Sequence, residues 1–130
     1  MTDARKESIR GLLNGFYMLS IKGEPEMITE YILKLPEKIN DPFARAMLSY
    51  GHLVPDKAYN VLIKTFELYK KWYGTCVTFG QFMEVLTEAE SIKKEFLIEE
   101  RSYASIMLGA FCDEIQAKME QDSKIEKRAS

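Results

Sequence analysis

The chain has 130 residues, of which 46% are hydrophobic, 12% aromatic and 29% charged, and its net charge is −2. This composition is typical of one folded domain and excludes a disordered chain, which would have fewer apolar residues. Two cysteines do not make a disulfide framework, no apolar run could span a bilayer, and residues 1–8 lack the apolar segment of a secretory signal. We therefore expect a cytoplasmic protein with no membrane association and no strong general attraction to nucleic acid.

Local signals predict four helices over residues 1–74. Capping residues and first-turn prolines, which begin helices, stand at Thr2 or Asp3, Pro25, Asp41-Pro42 and Val54-Pro55. Residues that end helices follow each of them: Gly23, Pro36, Gly51 and Gly74. We expect Gly23 to end the first helix in a left-handed conformation.

The stretch 56–73 is apolar around most of its helical circumference. At 100° per residue one face holds Tyr59, Leu62, Ile63, Phe66, Tyr69 and Tyr73, and a second holds Val61, Leu68 and Trp72. Only a narrow strip is polar: Lys57, Asn60, Lys64, Glu67 and Lys71. A helix of this kind is buried on more than one side, so it is either the central helix of a bundle or part of an interface.

A capping box marks the next helix start, with Thr78 as the cap and Gln81 reaching back. An apolar arc of about 140° follows, made of Phe79, Phe82, Val85, Leu86, Ala89, Ile92, Phe96 and Leu97. A similar pattern continues over 103–119. One helix over 79–121 would be unusually long, so we expect a break near the polar run 99–102.

The expected fold is all-α, a compact bundle of five or six helices. Residues 1–121 form a single domain, with 56–73 as the central helix and 79–121 as a long C-terminal helical region. The polar tail, residues 122–130, is predicted to fray.

The sequence contains no recognisable catalytic or metal-binding motif. His52 is the only histidine, so a catalytic dyad would need it together with Cys76, Cys112 or a serine. These three residues also lack the short paired spacings of a zinc site. The simpler interpretation places His52 in an exposed turn and both thiols in buried positions. We expect no catalytic residue, no cofactor and no metal.

Four lysines on the 56–73 helix suggest nucleic-acid binding as an alternative function. Lys57, Lys64, Lys70 and Lys71 lie among tyrosines and Trp72, and this stretch has four lysines against two acidic residues. Such a mixture can hold phosphates and stack bases. A helix-turn-helix fits poorly, however, because Met47 and Lys57 stand where a small and an apolar residue are required.

Acidic residues favour a different partner for the following helix. Residues 84–101 contain six glutamates against three basic residues, and Glu84, Glu88, Glu95 and Glu99 share its polar face. That face would repel DNA and anionic lipid, and it could attract a basic protein.

The favoured function is that of a small non-enzymatic regulator or adaptor, such as an inhibitor or modulator of a larger assembly. Residues 56–73 and 103–119 have more apolar surface than a small monomer easily buries, which also suggests a homodimer. The expected partner-binding residues are Tyr69, Trp72, Tyr73, Glu84, Glu88 and Glu95. Large aromatic side chains dominate many interfaces, so we expect Trp72→Ala to weaken the complex and leave the fold intact.

Overall fold

A computed structural model describes residues 3–34 and 40–129, with side chains as far as residue 123. The structure is 79% helical, and neither described range contains a strand. The α-helices are α1 Ala4–Ser20, α2 Ile28–Leu33, α3 Pro42–Met47, α4 Pro55–Trp72, α5 Phe79–Lys94 and α6 Ile98–Ala129. One turn of 3-10 helix, Pro25–Met27, precedes α2. The predicted all-α bundle is confirmed.

Side-chain caps begin three of the helices where the sequence predicted them. The Asp3 carboxylate accepts hydrogen bonds from two backbone N–H groups of α1 at 3.0 and 3.1 Å, and Asp41 accepts one from α3 at 2.9 Å. Thr78 and Gln81 form both halves of the capping box of α5. Thr2, the alternative cap of α1, lies outside the described residues.

Glycine has two different roles at the helix ends. Gly51 and Gly74 have φ values of 61° and 86°, the left-handed conformation that glycine adopts without strain. Gly23 does not, so our expectation of a left-handed glycine there is wrong. A Cβ at Gly23 would lie 2.9 Å from the carbonyl oxygen of Met18, so glycine is needed there for close backbone approach. Pro36, the predicted end of the second helix, lies outside the described residues.

The central position of α4 is confirmed, since it packs against α1, α5 and α6. Its buried residues are Ala58, Val61, Leu62, Thr65, Leu68, Tyr69 and Trp72. Aromatic contacts extend this core into α6, where the ring of Phe111 lies 6.0 Å from Phe66 and 5.5 Å from Tyr69 between centroids. Burial contributes roughly 1.5–3 kcal/mol for each large apolar side chain. These contacts place α4 at the centre of the hydrophobic core.

The break between α5 and α6 lies earlier than predicted, at residues 95–97 instead of 99–102. The polar run is the first turn of α6, where acidic side chains are favoured by the helix dipole. Glu100 is buried there and accepts a hydrogen bond from the backbone N–H of Leu97 at 3.2 Å. Helix α6 also continues through Ala129, past the end predicted at residue 121.

Arg5 on α1 connects α3 and α6. Its guanidinium donates to both carboxylate oxygens of Asp41, at 2.8 and 2.9 Å, and its Nε donates to Glu114 of α6 at 3.0 Å. Asp41 is buried and also caps α3, so one carboxylate holds both the ion pair and the helix start. The hydrogen bonds to Asp41 and then to Glu114 raise the pKa of Arg5 above its ordinary value.

We expect Arg5→Ala to lower the free energy of unfolding by about 2 kcal/mol, because it removes the two charged hydrogen bonds that the guanidinium donates to the buried Asp41 carboxylate. Urea unfolding measures this loss. The matched control is Arg10→Ala on the same helix, whose pair with Glu7 at 3.9 Å is exposed and should contribute about 0.5 kcal/mol or less. Equal unfolding midpoints for the two variants would contradict the connecting role of Arg5.

Thr78→Ala should lower the free energy of unfolding by about 1 kcal/mol, the usual loss for a helix cap. The control is Thr87→Ala on the same helix, since the Thr87 hydroxyl only donates back to the carbonyl of Met83 at 3.0 Å. That change should be close to neutral in urea unfolding. A Thr78→Ala variant as stable as the wild type would show that α5 does not depend on the capping box.

Candidate protein-binding surface

Helix α5 leaves much of its apolar side uncovered. Only Val85 and Ala89 of its sixteen residues are buried. Phe79, Met83 and Leu86 are 74%, 48% and 38% exposed, and their i, i+4, i+7 spacing places them in one stripe. We call these three residues the α5 face. Exposed large side chains in one contiguous stripe are typical of a surface that binds another molecule.

A groove of about 540 Å³ lies between α5 and α6, beside the α5 face, and we call it the α5–α6 groove. The apolar side chains that line it are Phe82, Leu86 and Ala89 from α5, and Leu108 and Cys112 from α6. Burial, and then the neighbouring Asp113, raise the pKa of the Cys112 thiol to about 11. The thiol is therefore neutral at pH 7 and behaves as a small apolar side chain.

The border of this surface is mainly acidic. Glu90 on α5 and Asp113 on α6 line opposite sides of the α5–α6 groove, and Lys93 is the one cation of its lining. Among the described residues neither Glu90 nor Asp113 takes part in an ion pair. A second hollow of about 320 Å³, lined by Met83, contains Glu84 and Glu88. An apolar centre with an acidic border results.

The aromatic residues expected to bind a partner lie inside the protein instead. Tyr69 is fully buried and Trp72 is 8% exposed. Tyr73 is half-buried, and its hydroxyl donates to the Asp3 carboxylate at 3.0 Å; burial and then this carboxylate raise its pKa to about 12. The bundle itself therefore covers the rings of Tyr69 and Trp72 in the single chain, and their part in binding a partner stays a prediction.

Glu88 belongs to the junction of α4 and α5. Its carboxylate accepts hydrogen bonds from the Lys71 ammonium at 2.6 Å and from the Trp72 indole N–H at 3.0 Å. These two bonds, the lysine first, hold the pKa of Glu88 below its ordinary value. Of the three glutamates predicted to bind a partner, Glu84 and Glu95 are exposed, whereas Glu88 is occupied within the chain.

The four lysines of the nucleic-acid alternative each contact another side chain. The contacts are Lys57 with Glu99 at 3.4 Å, Lys70 with Glu67 at 2.8 Å, Lys71 with Glu88 at 2.6 Å, and Lys64 over the ring of Phe96 at 5.4 Å. Each exposed pair is weak, but adjacent carboxylates cancel much of the positive field that a phosphate backbone would meet. The support for nucleic-acid binding is correspondingly reduced.

A third hollow, of about 410 Å³, surrounds the loop that contains His52. His52 is exposed in a turn, as expected. Lys57 and Glu99 line the hollow as an ion pair, and the Tyr103 hydroxyl donates to the carbonyl of Met47. Three of its polar side chains are thus already bonded within the chain.

No set of three or more His, Cys, Asp or Glu side chains among the described residues is grouped to hold a metal ion. None of the helices in the same part of the chain has both the length and the apolar content needed to cross a bilayer.

Sequence reasoning did not identify the α5 face as a surface. Phe79 and Leu86 belong to the apolar arc that predicted a buried helix side, whereas Met83 lies at the edge of that arc. The available signal was the position of Phe79, which directly follows the cap Thr78. The termini of a helix often project beyond the helices that cover its centre, but the sequence does not show where that cover ends.

Comparisons with models of known protein families, with curated proteins and with solved structures find no match to this chain.

Trp72 is the only tryptophan of the chain, so the fluorescence of the protein reports on the hydrogen bond between Trp72 and Glu88. As the pH falls we expect its emission to change with a midpoint below the ordinary pKa of a glutamate, because the pKa of Glu88 is lowered in the folded protein. The stabilisation from this bond is complete above the unfolded-state pKa and is lost as the pH falls through the folded-state pKa.

A fluorescence titration, with circular dichroism recorded in parallel to detect unfolding, measures this transition. Glu88→Gln should abolish it, and the control Glu84→Gln should leave it unchanged. A transition that persists in Glu88→Gln would assign it to another group.

Proposed function

We propose that the protein is a non-enzymatic regulator or adaptor that binds another protein through the α5 face and the α5–α6 groove. The observation that carries this proposal is the uncovered apolar side of α5, where Phe79, Met83 and Leu86 are exposed. Contact of such side chains with water is unfavourable by about 25 cal/mol per Å² of apolar surface, and a partner would remove it.

The available nucleophiles support a binding function over an enzymatic one. Both cysteine thiols are buried, and burial raises the pKa of each. A neutral buried thiol is a poor nucleophile at pH 7. His52 is exposed in a turn, without the enclosed surroundings in which catalytic groups are usually tuned. Unpaired thiols also agree with a reducing compartment, and the proposal places the protein in the cytoplasm.

The expectation of a homodimer loses its basis. It depended on the apolar excess of residues 56–73 and 103–119, and the fold buries most of those side chains within one chain. We therefore propose a different protein as the partner.

The test uses the double variant Phe79→Ser/Met83→Ser, whose side chains are exposed, so the fold should be preserved in circular dichroism. Proteins captured by the tagged wild-type chain from a lysate of its host are purified and titrated against both forms. We expect the double variant to bind at least about tenfold more weakly, since exposed apolar anchors supply much of the affinity of an interface.

The matched control is Ile63→Ser, because Ile63 on α4 is 38% exposed, as is Leu86, but lies outside the α5 face. The affinity of the Ile63→Ser variant for the partner should stay within about twofold of the wild-type affinity. Two results would refute the proposed function. One is a partner that binds the double variant as tightly as the wild type, and the other is that the wild type and the double variant capture the same proteins from the lysate.

A further inference from the structure

We infer that the partner contributes a basic amphipathic helix, which lies in the α5–α6 groove with its apolar side on the α5 face. This inference rests on the proposed function and adds the chemistry of the bound segment. It depends on three properties of the groove: its length, its apolar lining and the charge of its border.

The groove is long enough for a helix. Its lining on α5 extends from Phe82 to Lys93, which at 1.5 Å per residue is about 16 Å, or three turns of a helix. Because α5 and α6 are consecutive helices joined by residues 95–97, a third helix beside them would pack in the manner of a helix bundle. Helices bind such grooves through apolar residues at i, i+3, i+4 and i+7.

The acidic residues that border the groove favour a helix with positive charge. Glu90 and Asp113 stand on opposite sides, so lysines or arginines on either flank of the helix would meet a carboxylate. Glu84 extends the acidic border beyond Met83. Lys93 offsets only one of these three charges. Opposite charges of this kind favour the correct partner and speed association more than they strengthen the final complex.

A second copy of the chain fits this border less well. Helix α5 contains three glutamates, Glu84, Glu88 and Glu90, against two lysines in its last turn. A second α5 in the groove would therefore bring further carboxylates to an acidic border, which is unfavourable. The charge complementarity thus favours a different, basic chain.

The probe is a synthetic peptide of about 18 residues, roughly five helical turns, with leucine at i, i+3, i+4 and i+7 spacing and lysine elsewhere. A matched peptide has glutamate in place of lysine. Affinities are measured by titration calorimetry at low and high salt. We expect the lysine peptide to bind the wild type and the glutamate peptide to bind at least about tenfold more weakly.

Two variants separate the apolar and the charged contributions. Leu86→Ser should weaken binding of the lysine peptide by about tenfold or more, since it removes an apolar contact from the groove. Glu90→Gln/Asp113→Asn should weaken it by only about threefold to fivefold and should reduce its salt dependence, as expected for exposed charges. The controls are Ile63→Ser and Glu26→Gln/Glu30→Gln, which make the same kinds of change away from the groove.

Three results would overturn the inference. The first is no binding of the lysine peptide, and the second is equal binding of both peptides. The third is a wild-type dimer at tens of micromolar in sedimentation that Leu86→Ser converts to monomer, which would make a second copy the occupant. If a host partner still depends on the α5 face in any of these cases, the proposed function stands and only the basic helix is wrong.

Discussion

Helix α4 carries apolar side chains in nearly every direction, and α1, α5 and α6 each cover a part of them. The long α6 covers the largest share, through contacts such as that of Phe111 with the ring of Tyr69. Helix α5 meets the C-terminal end of α4, where Lys71 and Trp72 donate hydrogen bonds to Glu88 of α5. The core forms around α4, and one side of α5 lies outside it, with Phe79, Met83 and Leu86 exposed.

The local parts of the fold could be predicted because their causes are local. A carboxylate or hydroxyl beside free backbone N–H groups forms a cap wherever the chain begins a helix, as Asp3, Asp41 and Thr78 do. The all-round apolar character of 56–73 correctly indicated burial. The α5–α6 break was misplaced because the polar run 99–102 also suits the first turn of a helix, where acidic residues are stabilised.

The candidate surface could not be predicted in the same way, because periodicity shows that a side is apolar and does not show what covers it. Trp72 and Phe79 are both large aromatic residues on apolar helix sides, yet the fold buries the first and exposes the second. The charged residues could not be assigned to a surface for the same reason: the sequence does not show which side chains pair with each other. A lysine-rich stretch and a glutamate-rich stretch suggested two separate binding surfaces, but Lys71 and Glu88 form an ion pair with each other.

The ion pairs of Arg5 also imply that α1 is synthesised well before the bundle can be completed. Arg5 and Glu114 are separated by 109 positions, so α1 leaves the ribosome long before its partner on α6 exists. At about 5–20 residues per second that interval lasts from several seconds to some twenty seconds. Throughout it the apolar side of α1, with Ile9, Leu12 and Phe16, lacks the completed bundle. A nascent chain of this protein therefore depends on α6 for its final closure, and premature termination before Glu114 would leave Arg5 with Asp41 alone.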